Sequence, residues 1–188
     1  MRDLVKNVKV SIMRWGELTS EDQDLLTIAK EARANAVAAY SHHTVGAAIK
    51  WRRGSISRGC NVENCVYEVL HAERNAIGNG ILQNGLDKIN KVAVVGGPED
   101  QELPPPAMTN LEFEAAAAQI TFDDAYVCCA NCLQDVIEFV FGDSTVELMR
   151  FTKGLVIKMT VGDVLTTRFE PKHLDIDYGK QVAQQTEG

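Results

Sequence analysis

Two short segments restrict the fold of this chain more than anything else in it. His71-Ala72-Glu73 stands at the start of one predicted helix and Cys129-Ala-Asn-Cys132 at the start of another, with a predicted strand between them. One imidazole and two thiolates make three zinc ligands and leave a fourth position open for water. Any fold that uses them must bring two helix N-termini, distant in sequence, to one point. Helix N-termini favour thiolates, and zinc lowers the pKa of bound water toward neutrality. Glu73 then has work as a proton shuttle rather than as a ligand. Residues i and i+2 within a helix face different sides, so His71 and Glu73 can share a site only from the first turn. Two other readings stay open: C-x-x-C is also a redox motif, and Cys128 as a fourth ligand would close the site into a structural one.

The remaining pattern supplies elements to hold these segments. Ser20-Glu-Asp-Gln23 is a capping-box pattern ahead of Leu25, Leu26, Ile28, Ala29, Ala32 and Ala36, which predicts a helix over 21–39. Residues 45–51 and 56–62 read as strands joined by Arg52-Arg53-Gly54-Ser55. Helix is predicted over 71–84, strand over 91–95, a short helix over 111–120, and helix again over 130–141. Strands at 146–151 and 155–159 follow. This order predicts an α/β fold with three α-β-α layers, a mixed five-stranded sheet covered by helices. Residues 1–19 read as an N-terminal arm with loose alternation at Val8, Val10 and Ile12. Residues 20–178 read as a single domain, and 179–188 as a flexible polar tail.

The net charge of −7 is concentrated. Residues 98–124 carry seven acidic side chains and no lysine or arginine, and the rest of the chain is balanced. No basic stripe exists to track a phosphate backbone, which argues against a nucleic-acid partner. The acidic segment reads as a solvated excursion. Its place just before Cys129 leads us to expect it to line or lid a pocket mouth and repel phosphates. Five cysteines are an odd number, so a disulfide framework is a poor reading. No apolar run is long enough to span a bilayer, which argues against a membrane partner. Lys6, Lys9 and Arg14 break the N-terminal apolar stretch, so it does not read as a secretory signal. A cytoplasmic location is the resulting expectation.

With these motifs in place, the chain resembles the cytidine deaminase family of zinc-dependent nucleoside deaminases. Tyr40-Ser-His-His-Thr-Val-Gly-Ala-Ala48 is similar to the family's Y-S-x-F-x-V-G-A-A segment, and Gly59-Cys-Asn-Val-Glu-Asn64 to its G-x-N-x-E-N segment. His71-Ala-Glu-Arg74 resembles (C/H)-A-E-R. Met159-Thr-Val-Gly-Asp-Val-Leu165, with Phe169 and Pro171, resembles the C-terminal M-T-V-x-x-L-L…F-x-P stretch. The similarity covers about residues 21 to 174, apart from the acidic excursion.

The resemblance implies one zinc ion per subunit, held by His71, Cys129 and Cys132. Glu73 would protonate N3 of the base and carry protons to departing ammonia. Asn61 and Glu63 would bind the ribose hydroxyls. His43, Ala72 and Phe169 would contact the substrate, and Arg74 would hydrogen-bond a zinc thiolate. The implied reaction is hydrolytic deamination of cytidine or 2′-deoxycytidine to the uridine nucleoside and ammonia, in pyrimidine salvage. The implied assembly is a homo-oligomer, a tetramer or else a dimer. Departures from the pattern leave an alternative substrate, a modified cytosine nucleoside or another small amino-heterocycle. His43 stands where the family has Phe, Cys128 stands where it has Pro, and one residue is missing between Asn61 and His71. A non-catalytic zinc-binding relative is the remaining alternative.

Overall fold

In the computed structural model the structure describes residues 7–66, 68–98, 102–121, 124, 126–164, 171–174 and 176–186. Along the chain run β1 (Ser11–Met13), α1 (Ser20–Arg33), β2 (Thr44–Trp51), β3 (Ile56–Cys60), β4 (Val62–Glu63), β5 (Val69–Leu70) and α2 (Ala72–Asn84). There follow β6 (Ile89–Gly97), α3 (Asn110–Ala117), α4 (Ala130–Glu138), β7 (Glu147–Thr152), β8 (Leu155–Thr160), α5 (Val161–Val164) and α6 (Tyr178–Thr186).

The main sheet is mixed, with strand order β1-β8-β7-β6-β2-β3. Only β6 and β7 pair in parallel, joined by a crossover that contains α4. Its inner strands are apolar on both faces, as a sheet covered on both sides requires. Ala47, Ile49, Val92, Leu148 and Ile157 pack toward α2 and α4. Their neighbours Ala48, Ala93, Val95, Met149 and Phe151 pack toward α1. This is the three-layer α/β arrangement expected from the element order.

The sheet has six strands, one more than expected. The alternation in the arm ends in β1, which pairs antiparallel with the edge of β8 from Ser11 opposite Lys158 to Met13 opposite Val156. Trp15 then packs edge-on against Phe151, with ring centroids 6.3 Å apart.

Two boundaries also moved. The cap of α1 is Thr19, whose hydroxyl accepts from the Asp22 N–H at 3.2 Å. The helix stops at Arg33 rather than near 39. Arg33 is buried and donates to the carbonyls of Thr44 and Gly97. Beyond it, Val37 pairs with Val62 instead of continuing the helix. The expected flexible tail from 179 is helical as far as 186. It forms α6, with Val182 buried and Tyr178 stacked on Phe139 and Phe141 at 5.9 and 5.7 Å. Among the described residues no helix is long and apolar enough to cross a membrane.

The described part of the acidic excursion packs against the arm, with Pro105, Pro106, Ala107 and Met108 facing Arg14–Glu17 across a shallow cleft. Leu103 packs on the α1 side of the sheet. At α3, Asn110 accepts from Arg14 at 2.6 Å, and the Arg14 guanidinium lies 4.9 Å over the Phe113 ring. Glu112 caps its own helix through Thr109. Asp124 is held by Thr121 and Lys153, which pull its pKa down to about 2. The described part of the excursion is therefore tied to the arm at α3 and to Lys153 at Asp124, while Ile120 packs against the core on the α2–α4 side.

Candidate active site

Helix α2 is set against the edge strand β3 by close approach and by polar contacts. A Cβ on Gly59 would lie 2.4 Å from the Ala76 nitrogen and 2.5 Å from the Ala72 carbonyl oxygen. Glycine is the residue that allows this approach. The buried Ser57 hydroxyl donates to the Ala76 carbonyl at 2.7 Å and accepts from the Trp51 indole N–H at 2.8 Å. Asn75 and Asn79 donate to the outward carbonyls of Cys60 and Arg58 at 3.0 and 2.9 Å. These contacts fix the start of α2, where His71 is the N-cap and Ala72 and Glu73 open the first turn. The condition for His71 and Glu73 to serve one site is met.

Helix α4 docks differently, through an apolar stripe of Cys132, Leu133, Val136 and Ile137. Cys129 is its N-cap, and its sulfur accepts from the Cys132 N–H at 3.5 Å. Arg74 reaches across to Asp135 and ties the two helices together. It pairs with that carboxylate rather than donating to a thiolate, contrary to the role the resemblance implied.

The two helix starts converge. Nitrogen of His71 and the sulfurs of Cys129 and Cys132 lie within 4.8 Å of one another. Cys129 Sγ is 3.6 Å from His71 Nδ1. A tetrahedral zinc with ordinary Zn–N and Zn–S bonds separates such ligands by roughly 3.5–3.8 Å. The donor set, one imidazole and two thiols, and the spacing both fit zinc with a position to spare. Cys128 is not in this group; it is buried beside it. Burial and the Glu73 carboxylate push the Cys132 thiol well up. A coordinated dication reverses that balance, because a ligating thiol is deprotonated.

A pocket of about 320 Å³ opens over this group. It lies at the carboxyl ends of the parallel strands β6 and β7, where open α/β sheets place ligands. Glu73 is among its lining residues and is 4% exposed. Burial pushes its carboxyl up, against a hydrogen bond with Cys132 and the nearby His71. A carboxyl so placed can hold or release a proton inside a dry pocket.

Asn61, Glu63, His43 and Ala72 also line the pocket. Asn61 is buried and spends one donor on the His43 carbonyl, 2.9 Å away, and one acceptor on the Val45 N–H at 2.7 Å. An amide has one further site of each kind. Glu63 accepts from the Ser41 hydroxyl and from the N–H groups of Tyr40 and Ser41, which hold its carboxyl below the ordinary value. Phe169 lies outside the described residues.

Among the lining residues that sequence reasoning missed, Tyr126 and Arg150 bring polar groups to the pocket. The available signal was an arginine two positions from Leu148, on the inward face of an otherwise apolar strand. None of the described acidic residues of 98–124 lines the pocket, so the expected acidic lid is not formed by them.

Residues 19–148 match the family model of the cytidine and deoxycytidylate deaminase zinc-binding region. A cytidine deaminase of Sporosarcina psychrophila is 29% identical over 153 residues, covering 81% of this chain and 93% of its own. One from Halalkalibacterium halodurans is 28% identical over 154 residues, covering 81% and 97%. The crystal structure of cytidine deaminase from Burkholderia pseudomallei superposes with a TM-score of 0.55 at 29% identity, over 81% of this chain and all of that one. With the converged histidine and cysteines inside the matched region, this chain belongs to the cytidine and deoxycytidylate deaminase family of zinc-dependent hydrolases.

Proposed function

We propose that this protein hydrolyses the exocyclic amine of cytidine or 2′-deoxycytidine, giving the uridine nucleoside and ammonia in pyrimidine salvage. The observation that carries the reading is the juxtaposition of a buried carboxyl, Glu73, with the His71, Cys129 and Cys132 group under one pocket. Those three side chains would hold zinc, which when bound supplies Lewis-acid activation of water at neutral pH.

Each further task falls to a residue of this chain. Glu73 takes a proton from the attacking water and delivers it to the ring nitrogen beside the amidine carbon. A second proton then goes to the amine as ammonia leaves. Asn61, with its unspent donor and acceptor, and Glu63, pre-oriented by Ser41 and Tyr40, suit two ribose hydroxyls. Ala72 and Val94 give the base apolar walls, and His43 stands at its edge.

We further infer a homo-oligomer, with a tetramer favoured. Val37, Tyr40, Val62, Val66, Val69 and Leu70 are all exposed around the β4–β5 hairpin, and Val69 also lines the pocket. A second copy covering this face would enclose the substrate. Five free thiols accord with a reducing, cytoplasmic setting.

The test is turnover of cytidine by purified protein, with zinc measured on the same sample. Glu73→Gln should keep its zinc and lose nearly all turnover, by at least about a hundredfold. Substantial activity in that variant would overturn the role given to Glu73. Light scattering showing a monomer at working concentrations would overturn the assembly.

A further inference from the structure

Arg150 is the one lysine or arginine among the described residues lining the pocket. It sits on β7 directly opposite Val94 of β6. Asn61 and Glu63 come from the other end of the sheet, beyond β2, so Arg150 forms the facing wall. Its guanidinium lies 3.9 Å over the Tyr126 ring and donates one N–H to the Tyr126 carbonyl at 3.3 Å. A guanidinium carries five N–H donors. Among the described residues no carboxylate pairs with this one, and the other N–H groups find no acceptor. By contrast, Arg14, Arg58 and Arg74 each have an acidic partner. A cation held flat on an aromatic ring is fixed in direction at little entropic cost. Its remaining fork is free for a planar or tetrahedral oxyanion.

We propose that Arg150, positioned by Tyr126, is a specificity-determining residue that takes an anionic oxygen substituent on the substrate, so that an anionic cytosine nucleoside is preferred over the neutral one. This rests on the deaminase reading above. It reverses the selectivity that the acidic excursion led the sequence to predict: none of the described acidic residues of 98–124 lines the pocket, whereas Arg150 does. Two substrates carry the required chemistry: a phosphate on the ribose, or a carboxylate on the pyrimidine ring.

The experiment has two readouts on the zinc-loaded full chain. The first is kcat/KM for cytidine, cytidine 5′-monophosphate and 5-carboxycytidine, in the natural protein and in Arg150→Gln. The second is calorimetric binding of the three corresponding uridine products, which needs no catalysis. At least one anionic compound should exceed the neutral one by about tenfold in both readouts, and Arg150→Gln should remove that preference. Which anion shows it distinguishes the ribose source from the ring source. Neutral preference in the natural protein, or a preference unchanged in Arg150→Gln, overturns the proposal. Absence of turnover with all three would sink the deaminase reading, while the binding preference would still decide the role of Arg150.

Discussion

The two faces of the sheet spend their polar groups in opposite ways. On the α1 face every described charge near the core is matched. Asp22, 1% exposed, accepts from Lys91 at 2.7 Å and Lys158 at 3.0 Å, and both lysines also reach Glu147, at 3.2 and 2.9 Å. On the α2–α4 face the buried or lining polar groups keep capacity to spare: the Glu73 carboxyl, half of the Asn61 amide, the Arg150 fork, and the converged imidazole and sulfurs. A saturated network contributes stability and a unique packing; an unsaturated one costs stability and is kept for a ligand. The same alternating strands serve both ends, because neighbouring residues point to opposite faces.

That contrast can be broken first at the site face. Cys132→Ser should reduce zinc from about one ion per chain to near none and turnover to background, while far-ultraviolet circular dichroism stays native. Retained stoichiometric zinc would mean the ligand set is wrong. Gly59→Ala tests the docking of α2. Forcing a methyl against the Ala76 nitrogen should cost about 2–3 kcal/mol in denaturant unfolding and weaken zinc binding as well, since Ala72 lies between His71 and Glu73. An unchanged midpoint would show that α2 is free to shift.

The smallest effect belongs to the other face. Asp22→Asn should cost about 2 kcal/mol at neutral pH and leave turnover per folded molecule unaltered. Its pH dependence has a definite sign. Burial alone would raise the Asp22 pKa, but the hydrogen bonds from Lys91 and Lys158 outweigh it and hold the value below that of a free aspartate. A depressed carboxylate stabilises the fold above its unfolded pKa, near 4, and that stabilisation is lost as pH falls through the folded value. Unfolding midpoints of the natural protein should therefore fall more steeply below about pH 4 than those of Asp22→Asn. Parallel curves would remove Asp22 from the account.

The site's zinc-binding half was legible because its chemistry is local. A histidine or cysteine at an N-cap is specified by a few adjacent residues, and both motifs landed on helix starts. The strands were legible from their apolar runs, and α4 from its stripe. What escaped were pairings that depend on distant partners. Nothing in Ser11–Met13 announces that Lys158 to Val156 will be its neighbour. The diversion of Val37 to Val62 was invisible for the same reason. The acidic excursion misled because closeness to Cys129 in sequence was taken for closeness to the pocket, whereas Arg14 holds Asn110 and Phe113 at the arm and none of the described acidic residues lines the pocket. Arg150 was overlooked because an arginine in a strand ordinarily reads as solvent-facing.

The amides of Asn75 and Asn79 have a consequence for how copies of this protein can meet. They occupy main-chain oxygens that β3 would otherwise offer to an incoming strand, and the opposite border of the sheet ends in a three-residue strand, too short to template another. Growth of the sheet from molecule to molecule is blocked at both borders. Self-association is left to side-chain surfaces, which can close into a finite assembly instead of extending without limit.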